Sequence, residues 1–247
     1  MARLWPKDIP IIGVTGEKGS GKTCFGLSVS PDPKRTLVYD LEMSADPYKG
    51  LGFRHVNVSR EMAKAHPNGC KAVDLWKWWL ADVKALPPDQ YDVILVDPIT
   101  DLEAGLVDWV AANPGYFGHT SNQYDRASGI MWGDVKAYEK LVLTTIVAAK
   151  CQTFVFTAHL GAEFVGGKPT EQKKAKGKET LFELASLYLW MERKKVGQLR
   201  TGVPSAAVIK ERLGEMRLGP DGLEVVAALP PKLPEATPNA IRKYLLN

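Results

Sequence analysis

Residues Gly16, Glu17, Lys18, Gly19, Ser20, Gly21, Lys22 and Thr23 complete the pattern G-x-x-x-x-G-K-[ST]. Their position constrains the fold more than any other feature of the chain. An apolar run at residues 9–14 precedes them and reads as a buried strand, and a helix-like stretch at residues 23–29 follows. Strand, glycine-rich loop and helix in that order make a phosphate-binding P-loop. The glycines let the backbone curl so that its N–H groups face a phosphate, and the helix N-terminus adds its positive dipole. Lys22 is expected to reach the β- and γ-phosphates, and the Thr23 hydroxyl to ligate Mg²⁺. Residues 16–24, ending at Cys24, are the candidate nucleotide-binding segment. The pattern points to ATP or GTP, and nothing in the sequence reads the base.

The remaining chain suits an α/β domain built around that loop. With 247 residues, 45% of them hydrophobic, it buries a substantial core and favours one domain over two. Further apolar runs at residues 36–40, 93–97 and 153–157 read as strands covered on both faces, as in a parallel sheet. Between them, residues 71–86 place Leu75, Trp76, Trp79, Leu80 and Val83 at helical spacing. Trp78 falls off that stripe and is expected to be exposed or at an interface. Residues 133–150 read as another helix. The βαβ repetition predicts a doubly wound, mainly parallel sheet flanked by helices. Late in the chain, residues 187–191 and 206–210 read as strands, and residues 216–225 as a hairpin around Pro-Asp-Gly. The expected organisation is a core over residues 1–229, including this hairpin, then a Pro-rich link and short helix over 230–247.

Composition excludes several classes. Cys24, Cys70 and Cys151 lie far apart with no C-x-x-C pair, which argues for reduced thiols rather than a disulfide framework or zinc site. No apolar run approaches membrane-spanning length and the first residues do not form a signal peptide, so a cytoplasmic protein is expected. A net charge of +4 permits a nucleic-acid partner without requiring one.

Two carboxylates are candidates to complete the site. Asp97 ends an apolar strand, the Walker B arrangement, and is expected to hold Mg²⁺ opposite the P-loop. Hydrolysis also needs a group that orients or deprotonates water. The residue after Asp97 is Pro98, which cannot serve. Period-two geometry puts Asp40 and Glu42 on one side of an extended chain, so Glu42 is the candidate base, with a solvated loop carboxylate as the alternative. His159, at the tip of the next strand, is either a sensor of the γ-phosphate or a surface histidine.

Together these pieces resemble the RecA family of recombination ATPases, which includes RadA and the small RecA-like ATPases of bacteriophages. The segment 39–48 is similar to the one that carries the family's catalytic glutamate, which falls on Glu42. The strand ending at Asp97 matches the Walker B strand, and His159 stands where RecA has a glutamine coupling nucleotide to DNA. Lys210, Glu211, Arg212, Leu213 and Gly214 fit a Lys-x-Arg-hydrophobic-Gly motif of RadA-like relatives, whose cations reach into a neighbour's active site. The resemblance spans roughly residues 9–215. It implies an Mg²⁺-dependent ATPase that self-associates into a filament or ring. Departures are Pro98, His159 and the lack of a separate polymerisation domain ahead of the core, so the mode of assembly stays open.

The family places DNA contacts in two loops. The second corresponds to residues 160–180, with Phe164, Lys168, Lys173, Lys174, Lys176 and Lys178. A mobile basic loop of this kind tracks phosphates, and single-stranded DNA is the expected partner. The first falls within residues 113–129, where Tyr116, Phe117, His119, Tyr124 and Arg126 either stack bases or tuck into the surface. The leading reading is an ATPase that binds single-stranded DNA as an oligomer and promotes recombination, annealing or strand exchange. The alternatives are a small-molecule P-loop kinase with residues 160–180 as its lid, or a nucleotide-stabilised scaffold or helicase-loading protein with little turnover. The lid would need arginines and has only lysines.

Overall fold

The computed structural model describes residues 3–120, 124–126, 129–165, 168–175, 179–196, 199–219 and 222–246, with backbone alone for 163–165, 168–169, 171–173, 175, 179, 196, 199–200, 215–219 and 222–225. The apolar runs become strands: β1 (Ile11–Gly16), β2 (Thr36–Asp40), β3 (Arg54–Asn57), β4 (Val93–Asp97) and β5 (Thr153–Ala158). Apart from β3, each of these is buried at every position. The reason is that both faces of the sheet are covered. Ile11, Leu37, Tyr39, Ile94, Val96, Phe154 and Phe156 point into one core. Their neighbours Ile12, Val38, Val93, Leu95 and Val155 point into the other. Side chains alternate across a strand, so two covered faces demand a continuous apolar run.

The later strands are β6 (Leu160–Val165), β7 (Lys168–Ala175), β8 (Leu187–Val196), β9 (Leu199–Glu211), β10 (Glu215–Gly219), β11 (Gly222–Val226) and β12 (Lys232–Leu233). Among the described residues the main sheet has eight strands in the order β12-β9-β8-β1-β5-β4-β2-β3. From β8 to β3 all pairings are parallel, and β9 runs antiparallel to both β8 and β12. This is an α/β, mainly parallel sheet flanked by helices, as the sequence predicts. The hairpin expected at 216–225 is β10 paired with β11.

The helices are α1 (Lys22–Leu27), α2 (Val58–Ala65), α3 (Ala72–Ala85), α4 (Thr100–Ala112), α5 (Gly129–Leu141), α6 (Glu179–Leu184) and α7 (Pro238–Leu246). The helix expected over 133–150 starts earlier, at Gly129, and passes into a π-helical stretch, Val142–Val147. Trp76 and Trp79 are buried in the core, as their spacing implies. Trp78 corrects its expectation: it is half-buried against that core and meets the Tyr39 ring edge-on at 6.3 Å. Gly105 lets α4 press on α3, because a Cβ there would sit 2.2 Å from the Ala72 carbonyl oxygen.

The C-terminal segment is bound into the same fold. β12 pairs with β9, and Ile241 and Leu245 of α7 are buried in the second core. Arg242 donates to the Leu4 carbonyl at 2.9 Å and lies over the Trp5 ring at 4.7 Å. Residues 230–246 thus close over Leu4 and Trp5. The aromatic residues of 113–129 largely stack on one another and on α4 and α5. Trp109 lies on Tyr138 at 4.8 Å, Phe117 on Tyr124 at 6.2 Å and His119 on Tyr124 at 5.2 Å. Tyr116 remains 65% exposed.

Candidate nucleotide site

Parallel pairing brings the C-terminal ends of β1, β2, β4 and β5 to one edge of the sheet, and the site is built there. Gly16 ends β1 at φ +146°, a conformation L side chains rarely adopt, and a Cβ there would meet the Met191 carbonyl oxygen of β8 at 2.3 Å. Gly19 and Gly21 also have positive φ, at 77° and 101°. The loop therefore turns tightly enough to lay its N–H groups inward. The Lys22 ammonium donates to the carbonyls of Gly16 and Glu17 at 2.8 and 3.1 Å, which arches it back over the loop. The Ser20 hydroxyl is buried inside the loop and, among the described residues, has no hydrogen-bond partner. Cys24 is exposed on the first turn of α1.

Asp97 is the hub of the edge. It is 4% exposed, and its Oδ2 accepts from the Thr23 hydroxyl at 2.5 Å and from the Ser44 hydroxyl at 2.6 Å. Its Oδ1 accepts from the buried Thr157 hydroxyl. One carboxylate at the end of β4 thus gathers groups from the P-loop helix, from the turn after β2 and from β5. The predicted magnesium pair, Thr23 and Asp97, is in direct contact. A hydroxyl and a carboxylate beside a cradle of backbone N–H groups, with an orphan hydroxyl inside it, are the donors that MgATP takes. The residues present fit the group: residues 16–24 for the phosphates, Thr23 and Asp97 for the cation.

The expectation that Asp40 and Glu42 extend along one face is corrected. β2 ends at Asp40, and the chain turns through Met43 at φ 60°. Asp40 is fully buried and binds the turn together. Its Oδ1 accepts from the Glu42 and Ser44 N–H groups at 3.3 and 3.0 Å, and its Oδ2 from the Ala45 N–H at 3.0 Å. His55 from β3 lies 2.9 Å from the same Oδ2. The turn holds Glu42 out at the sheet edge, where its Oε1 lies 2.7 Å from His159 Nε2. The two residues singled out separately in the sequence are a pair.

A family model described as an AAA domain (AAA_24) matches residues 10–213. The chain belongs to this AAA domain family. The match covers the P-loop, Asp97 at the end of β4, and Glu42 and His159 just past the ends of β2 and β5, so this AAA domain is a P-loop ATPase-family fold. Among curated proteins none matches the chain. The crystal structure of the flagellar accessory protein FlaH from Methanocaldococcus jannaschii is similar over 88% of this chain and 89% of that one, at 15% identity and a TM-score of 0.39. A likeness of that degree carries no function across.

Other predicted residues of the AAA domain fall elsewhere. Lys210 pairs in register with Tyr188, near the start of β8 and at the opposite end of the sheet from the P-loop. Its ammonium donates to the carbonyls of Phe182 and Glu183 at 2.6 and 2.5 Å, and Arg212 also donates to the Glu183 carbonyl. Both cap the C-terminal carbonyls of α6, where the helix dipole favours cations. Burial, and then the neighbouring Arg212, push the Lys210 ammonium below the usual lysine range. Neither cation reaches the nucleotide site of its own chain. The basic segment after His159 is an antiparallel hairpin, β6 with β7, where a mobile loop is expected. Phe164, Lys168 and Lys173 lie on its backbone, Lys174 is exposed, and Lys176 and Lys178 lie outside the described residues. Sequence reasoning missed Ser44 and Thr157. Their only signals are a Ser four residues after a strand-terminal Asp and a Thr two residues before His159. No helix among the described residues is long and apolar enough to cross a membrane.

Proposed function

We propose that this AAA domain is a Mg²⁺-dependent ATPase that binds single-stranded DNA as an oligomer and promotes annealing or strand exchange in recombination. The observation that carries the reading is the 2.7 Å contact between Glu42 and His159 at the P-loop edge. It links the candidate water-orienting carboxylate to the residue that leads directly into the basic β6–β7 hairpin. In this reading Lys22 and the loop N–H groups hold the phosphates, and Thr23 and Asp97 hold the cation. Glu42 orients the attacking water. His159 reports its release or engagement to the hairpin, whose lysines track a phosphate backbone. Lys210 and Arg212 would act on the site of a neighbouring copy. ATP is favoured over GTP by the family alone.

The deciding experiment is ATP hydrolysis by the full chain, with and without single-stranded DNA, at low and moderate salt. Stimulation that weakens as salt rises is expected. A rate indifferent to DNA would overturn the DNA assignment and favour the kinase or scaffold reading.

A further inference from the structure

The P-loop has a second flank, formed by β8. β8 runs parallel to β1 with Met191 opposite Gly16, and the tight approach at Gly16 clamps the strand against the loop. Expected to stop at residue 191, β8 instead continues to Val196 and carries Glu192, Arg193, Lys194 and Lys195 past the sheet edge. Met191 packs with Phe25 and Leu27 of α1, and Arg193 follows two residues on, where the pairing of β8 with β9 shifts register. Its guanidinium Nη2 stands 3.7 Å from the point a Cβ of Gly21 would occupy. Its Nε is buried and, among the described residues, has no hydrogen-bond partner. Lys195 stands 3.9 Å from the Glu17 carboxylate. Glu17, Trp190, Met191, Arg193 and Lys195 line one cleft beside the loop.

A buried guanidinium N–H without an acceptor is costly to keep unless an acceptor arrives. Its planar fork suits a phosphate, and a phosphate is what the adjoining loop is shaped to hold. We propose that Arg193 is a phosphate-binding residue supplied in cis, contacting the phosphate chain of the bound nucleotide from the β8 side. This rests on the reading of residues 16–24 as the nucleotide site. It gives the site a cation of its own chain, distinct from Lys22 and independent of any neighbouring copy.

The test is equilibrium binding of MgATP, followed with a fluorescent ATP analogue, to the full-length wild type, Arg193→Ala, Arg193→Gln and Arg193→Lys. The thermal midpoint of each protein is measured without nucleotide. Arg193→Ala and Arg193→Gln are expected to bind at least about tenfold more weakly, the order of a lost charge-assisted contact. Arg193→Lys should recover part of that loss, and the midpoints without nucleotide should not fall. Wild-type binding with unchanged affinity in the variants would overturn the role of Arg193 and leave the P-loop reading standing. No nucleotide binding by the wild type would overturn both. If Arg193→Ala fails to fold, Arg193→Gln, which keeps most of the chain's length and polarity, decides.

Discussion

Asp97 has no idle oxygen. Thr23, Ser44 and Thr157 all donate to it, so a cation arriving there exchanges with hydroxyl donors rather than filling a gap. Ser44→Ala is therefore expected to leave cation binding intact or tighten it, while Asp97→Ala abolishes it. Isothermal titration of Mg²⁺ with ATP separates the two. Glu42→Gln should lower hydrolysis by about 100-fold or more while ATP still binds, since positioned acid–base groups contribute on that scale. Unchanged turnover would remove Glu42 from the mechanism. The thiols give an independent reading of occupancy. Cys24 is exposed beside the loop, whereas burial pushes the Cys151 thiol up to about 12. Alkylation at neutral pH should label Cys24 and Cys70, spare Cys151, and be suppressed at Cys24 alone by MgATP. At this scale motif spacing alone singles out Lys22, Thr23 and Asp97 as candidates, and the fold puts the last two in contact. The sequence hides Ser44 and Thr157, because their role depends on strand ends that meet only in the folded sheet.

Elements were legible where periodicity ruled. The four central strands and α3 follow their apolar patterns, because two covered faces leave little choice of residue. β8 outruns its apolar stretch, because its extension past Met191 is charged and is held by pairing with β9 rather than by burial. The β6–β7 hairpin stands where the sequence implies a loop, because lysines and glycines carry no strand period. Packing between elements gives its own prediction. Gly105→Ala would drive a methyl into the Ala72 carbonyl and against the Trp76 Cβ at 3.0 Å. It should cost about 2 kcal/mol or more, lowering the thermal midpoint by several degrees. Nucleotide affinity measured below that midpoint should be unaltered.

For the whole molecule, the position of Lys210 and Arg212 sets a sharp test of assembly. They cap α6 within the chain and lie at the far end of the sheet from its P-loop, so a part in hydrolysis requires a second copy. Mixing a Lys210→Ala/Arg212→Ala double variant with Glu42→Gln should restore turnover that each lacks alone, if one copy's cations serve the other's Glu42. A sum of two inactive rates would confine both cations to capping α6. Any such assembly must also reckon with the rims of the main sheet. At one rim β12 is two residues long, flanked by Pro231 and Pro234, and at the other β3 offers four residues beginning with Arg54. Proline cannot donate to a ladder, and short charged rims discourage strand addition. β12 and β3 thus give a second copy little ladder to extend, and contacts made at them would rest on side chains, which dilution or salt loosens while each sheet stays whole.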